Sequence, residues 1–305
     1  MSELNQVGER KSFIDRYAKI LVVVAVLLGA PSGNFGVLIS APPTVIGFWR
    51  LTISLPFFAI PVLCNQEKRT QLAQISKKNL LLSFVAGAFL FAHYFSWFSA
   101  VKLTKIASAA VLASFHPLVV IFISVFIYKK IPSWKSIVAI LVALGGGALI
   151  MCTDISAFTG GKLSGNLLAL TAGICMGVYF AVGGKVREEV EGSIYVMLLF
   201  FSCWFCFAVS NVVTVTPVLG YPAMDYFYML CLAVLCQICS HAVFNLCMGH
   251  VSSLYVSAWE TGDPVFSTLF AVVMLHQIPT VIEIIGCIIV VGALLAYNKV
   301  EEESV

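Results

Sequence analysis

A charged side chain inside a long apolar run is the first place to look for chemistry, and three such residues stand out in this chain: Arg50, Glu260 and Asp263. Held at the centre of a bilayer, each costs roughly 2.5–3.5 kcal/mol on insertion scales. Glu260 and Asp263 are three residues apart, so on one helix they share a face. Like charges that close repel one another, which makes one of the two a candidate proton carrier. At 1.5 Å per helical residue, Asp263 falls about 17 Å and Arg50 about 21 Å from the same edge of an apolar layer about 30 Å thick. Arg50 is therefore a candidate counter-ion for Asp263, or a partner for a carboxylate on a ligand. Softer groups surround these charges in the sequence. His93 and Trp97 are spaced i,i+4, with Tyr94 and Phe98 on the adjoining stripe, and His241 and Asn245 repeat that spacing. His116 precedes Pro117, Asn34 follows Gly33, and Tyr179 lies two residues past Gly177. Indole and phenol rings hold apolar bodies and cations while their polar tips fix orientation. Asp263, Glu260, His93, Trp97, His116, His241, Asn245, Asn34, Tyr179 and Arg50 are thus the candidates for lining the path of a small polar solute. Each has a plainer alternative: rings mostly pack helices, and a buried acid and arginine can simply tie helices together.

The elements that must position these groups are membrane helices. The 305 residues are 60% hydrophobic and only 11% charged, and the mean hydropathy is +0.98. A soluble domain carries about 25% charged residues. Apolar runs long enough to span occur at 18–40, 44–64, 80–102, 105–128, 134–152, 164–185, 194–216, 224–247, 252–275 and 279–297, and they are continuous rather than alternating, which argues against a β-barrel. The first run, preceded by Arg10, Lys11, Arg16 and Lys19, also resembles a signal-peptide core; the repeat below favours a retained span. Of the 18 Lys and Arg, fourteen fall on segments sharing one side with the N-terminus, three on the other side, and Arg50 within a span. The positive-inside rule then puts both termini in the cytoplasm.

The halves repeat. Moved forward by 147 residues, Pro117 falls on Pro264, His116 on Asp263, Ile131-Pro132 on Ile278-Pro279 and Gly145 on Gly292. Gly29 and Gly33 fall on Gly173 and Gly177 with a shift of 144. Five spans per repeat is an odd number, so the second copy enters the membrane inverted, a construction that places a site near the midplane between repeats. Pro117 and Pro264 each remove a backbone hydrogen bond and predict a helix break there. The expected plan is an all-α membrane protein of ten transmembrane helices in two inverted five-helix repeats. Residues 1–17 form an N-terminal segment, 18–152 and 164–297 the repeats, 153–163 an external linker and 298–305 a tail.

Two five-span repeats, each opening with a Gly-x-x-x-Gly helix, together with the run His93 to Ala100, the run Thr104 to Ala109, Asp263-Pro264-Val265, Ile278-Pro279, Gly286 and Gly292, resemble the drug/metabolite transporter superfamily, EamA type. The resemblance covers about residues 18–297. It implies a transporter, often an exporter, of amino acids or related metabolites in a bacterial inner membrane. It also implies Gly-Glu before the last helix of each repeat and Glu-Pro in the ninth; here those positions hold Lys129-Lys130, His276-Gln277 and Asp263-Pro264.

Cys203 and Cys206, and Cys236 and Cys239, have a spacing that in a soluble protein would suggest zinc. In hydrocarbon, four thiolates around zinc leave net negative charge, so no metal and no other cofactor is expected. The competing reading of function is a membrane-embedded enzyme or flippase for a lipid-linked substrate; no nucleophile elbow or polar catalytic loop supports an enzyme. Expected partners are a small-molecule substrate, membrane lipids and a coupling proton, with no nucleic acid, and the chain acts as a monomer or homodimer.

Overall fold

The computed structural model describes residues 13–152, 162–276 and 278–303. The expected N-terminal segment up to residue 12, most of the linker, Gln277 and the last two residues lie outside them. The described chain is helical, and its helices form ten spans. Three spans are single helices in the first repeat: α3 (Pro43–Cys64), α5 (Lys77–Leu103) and α8 (Trp134–Cys152). Three more are single in the second: α9 (Lys162–Arg187), α10 (Gly192–Val213) and α15 (Val281–Glu303). The other four are interrupted. The first span is α1 (Phe13–Gly29) and α2 (Ser32–Leu38), broken at Ala30-Pro31. The fourth is α6 (Ile106–Ala113) and α7 (His116–Phe126), and the ninth is α13 (Ser253–Glu260) and α14 (Asp263–Leu275). The eighth runs through α11 (Ala223–Cys231), a π-helical stretch (Leu232–Ala242) and α12 (Val243–Cys247). A short polar helix, α4 (Gln66–Ala73), joins the second and third spans with no buried residue, its start capped by the Asn65 side chain.

Helix boundaries carry the repeat. The starts of α6 and α13, of α7 and α14, and of α8 and α15 are each 147 residues apart. The packing carries it too. The third span packs on the sixth as the eighth packs on the first; the fourth packs on the sixth as the ninth packs on the first; the second pairs with the seventh and the fifth with the tenth. Exchanging the halves maps each of these contacts onto its counterpart, which is a pseudo-two-fold between two inverted five-helix repeats. At the fifth–tenth contact the backbones nearly touch: a methyl at Gly286 would lie 2.7 Å from the Gly146 carbonyl oxygen. Small residues permit this approach, and close van der Waals contact replaces the hydrophobic drive that lipid does not supply.

Both central breaks sit one turn earlier than the prolines. Pro117 and Pro264 open the second half-helix at its first turn, where a missing N–H costs nothing. In the sixth span, Gly173 and Gly177 face the fourth-span break: a methyl there would stand 2.5 Å from the Ala113 oxygen and 2.6 Å from the His116 oxygen. Pro117 is the residue that leaves the Ala113 carbonyl without its helical donor, so the glycine gives that carbonyl a Cα–H neighbour instead of a clash.

Candidate functional site

Six spans, three from each repeat, line a central cavity of about 50 Å³. The first span contributes Val26, Gly29 and Ser32, and the third His93, Tyr94 and Trp97. The fourth presents Ala110, Ala113, Ser114 and His116 around its break, and the sixth presents Met176. The eighth contributes Ser240, His241 and Phe244, and the ninth Glu260 and Asp263 from the two sides of its own break. The acids do not share one continuous helix face as their spacing suggested: Glu260 ends α13 and Asp263 begins α14, and it is the cavity that they share.

Second-sphere bonds hold the walls. The His93 Nδ1–H donates to the Ala172 carbonyl at 2.9 Å, which leaves Nε2 as the acceptor of the neutral ring. His116 Nδ1 and the Ser257 hydroxyl are 2.7 Å apart. The Ser267 hydroxyl donates to the Asp263 carboxylate at 3.1 Å and lies 2.9 Å from the Ala30 carbonyl at the first-span break. Three buried atoms of cavity-lining residues have no hydrogen-bond partner among the described residues: Ser240 Oγ, His241 Nδ1 and Glu260 Oε2.

Arg50 is not the counter-ion of Asp263. Its guanidinium is fully buried behind the cavity wall, donating from Nε to Gln237 Oε1 at 2.5 Å and from an amino group to the Cys236 carbonyl at 2.7 Å. It lies over the Tyr94 ring, 4.2 Å from the centroid, and the Tyr94 hydroxyl donates to the same Gln237 oxygen at 2.8 Å. A neutral amide, a carbonyl and a ring face therefore replace the expected carboxylate. The π-helical stretch supplies Cys236 and Gln237 to Arg50, and Ser240 and His241 to the cavity.

Of the ten residues singled out from sequence, His93, Trp97, His116, His241, Glu260 and Asp263 come together on the cavity wall, while Arg50, Asn34, Tyr179 and Asn245 do not. Asn245 donates to the Tyr179 hydroxyl and to the His241 carbonyl, both at 2.5 Å, so these two tie the sixth span to the eighth. Asn34 is fully buried away from the cavity. Sequence reasoning missed Ser32, Ser114, Ser240 and Gln237. Gln237 and Ser240 carried a signal, being polar residues beside His241 in an otherwise apolar run.

The two membrane faces differ. On the face where α1 begins and α15 ends, a vestibule of about 420 Å³ opens between the fourth, sixth and eighth-to-ninth spans, with Tyr128, Lys130, Lys185, Glu188 and His250 on its rim. On the far face the ends are tied. One Asp225 carboxylate oxygen accepts from the Ser40 N–H (3.1 Å), the Ser40 hydroxyl (2.7 Å) and the Ala41 N–H (3.0 Å), while Lys102 donates to the Ala41 carbonyl at 2.6 Å.

A bundle of two inverted repeats, with a polar cavity between helices broken at their middles, is the architecture of a membrane transporter. The model of the EamA-like transporter family matches residues 16–152 and again 163–298, and the chain belongs to that family. Among solved structures, 29 chains match. One, described as the crystal structure of a protein, shares the fold at a TM-score of 0.76 and 19% identity, covering 94% of this chain and 98% of its own. No curated protein matches.

Proposed function

We propose that this transporter moves a small polar metabolite, an amino acid or a close relative, across a bacterial inner membrane by alternating access, as an exporter or facilitator. The observation that carries the reading is the central cavity itself, walled by both repeats and flanked by the half-helix starts at His116 and Asp263. A solute there touches both repeats, so rocking one against the other changes its access without moving the site. The vestibule face, on which the Lys and Arg excess lies, is the cytoplasmic one, with both termini on it. The tied far face is then external, and the conformation is closed outward. One chain completes the cavity, so a monomer is the working unit. Asp263 carries the coupling proton: it lines the cavity and accepts a hydrogen bond from the Ser267 hydroxyl.

The test is flux in proteoliposomes loaded with amino-acid mixtures. Wild-type protein should release a subset of the mixture, and Trp97→Ala should slow that release. Asp263→Asn should abolish pH-driven accumulation yet keep solute exchange, which needs no net proton movement. Normal kinetics in Trp97→Ala, Glu260→Gln and Asp263→Asn together would remove this cavity from the transport path.

A further inference from the structure

We infer that the cavity holds a seat for a primary ammonium group on the wall of the second repeat, so that the solute binds by its cationic end. The inference rests on the transport reading only for the identity of the site. The unpartnered wall atoms, Ser240 Oγ, His241 Nδ1 and Glu260 Oε2, are all able to accept a hydrogen bond. A primary ammonium offers three donors and no acceptor, the complement of that set. All three acceptors come from the eighth and ninth spans. The first-repeat wall is different. Its His93, His116 and Ser114 already bond to Ala172, Ser257 and Ala110, and although His93 keeps Nε2 as an acceptor, that wall carries no carboxylate. Ala110 and Ala113 complete that wall and suit the apolar body of the solute.

Charge agrees with hydrogen bonding. The deep groups comprise one cation, Arg50, and two carboxylates, Glu260 and Asp263. Arg50 gives its donors to Gln237, Cys236 and, at 3.4 Å, the cavity-lining Ser32 hydroxyl, and does not itself line the cavity. With Asp263 unprotonated, a solute cation neutralises the excess carboxylate, whereas a solute carrying only a carboxylate would add to it. The Trp97 ring lining the same cavity favours a cation as well.

The experiment is calorimetric titration of the full-length protein in detergent with four probes: isobutylamine, leucine amide, leucine and N-acetylleucine. The first three should bind and N-acetylleucine, which lacks the ammonium, should not. Glu260→Gln should weaken isobutylamine about tenfold or more, and Ser240→Ala by a smaller factor. Should Glu260→Gln not fold, Ser240→Ala alone decides. N-acetylleucine binding as tightly as leucine amide, isobutylamine failing to bind, or a variant that folds and keeps wild-type amine affinity would each overturn the seat. The titration is independent of flux: binding without transport refutes the transport reading and leaves the seat standing, and transport without amine binding does the reverse.

Discussion

At the residue scale, two backbone positions betray a stored cost. Lys129 and His276 have φ of 58° and 54°, and they stand 147 residues apart at the ends of equivalent half-helices. The resemblance to the EamA type implied glycine at both. A side chain in the left-handed region is strained where glycine is not, and glycine is the usual residue after a helix end. Lys129→Gly and His276→Gly should therefore each raise the melting temperature, by about 0.5–1 kcal/mol of stability; unchanged or lower melting for both would refute the strain. Arg50 offers the opposite case. Lys cannot reach Gln237 and the Cys236 carbonyl together and cannot lie flat on Tyr94. Arg50→Lys should destabilise by about 2 kcal/mol or more, and the loss in the double variant with Gln237→Leu should be less than the sum of the two single losses, since the pair shares a hydrogen bond, although Gln237→Leu also strands the Tyr94 hydroxyl. Fully additive losses in thermal melts would separate them. The depth of Arg50 was legible in the sequence, but its partner was not: depth matching weighed only charged partners, while the actual ones are an amide and a backbone carbonyl.

At the element scale, the glycines divide sharply. Gly173→Ala drives a methyl onto the backbone oxygen of Ala113, whereas a methyl at Gly292 meets nothing within 4 Å. The first should cost about 1–3 kcal/mol as overpacking does, and Gly292→Ala should be neutral or add up to about 1 kcal/mol through helix propensity. Equal melting of the two variants would contradict the close packing of the sixth span on the fourth-span break. The same elements show how far sequence could be read. The breaks near Pro117 and Pro264 followed from a missing N–H. The break at Ala30-Pro31 was not foreseen, although Pro31 lacks its N–H as Pro117 and Pro264 do. The π-helical stretch was invisible because a change in hydrogen-bond register leaves composition untouched. That is why His241 was placed on the path but its neighbour Ser240 was not.

At the scale of the whole molecule, the two faces make separate predictions. If the Asp225 tie keeps the far side shut, Asp225→Ala should increase labelling of a cysteine at Ser32 by an impermeant reagent added from that side; unchanged labelling would show that the tie does not gate access. On the near face, Glu188 accepts from Lys185 at 2.5 Å and from Lys130 at 2.9 Å, and these bonds, Lys185 foremost, hold its carboxyl below its ordinary value of 4.5. A depressed carboxyl pKa stabilises the fold above the unfolded value and loses that contribution as pH falls through the folded one. The gain from Glu188 over Glu188→Gln should thus be small at neutral pH, because the group is well exposed, and should vanish as the pH falls through the lowered folded value. Nothing in that network depends on the chain being continuous between Cys152 and Lys162, and neither do the pairings of first with eighth, third with sixth and fifth with tenth span. A gene severed there should yield two fragments that find one another in the membrane, because each presents a surface that only an upside-down counterpart can cover.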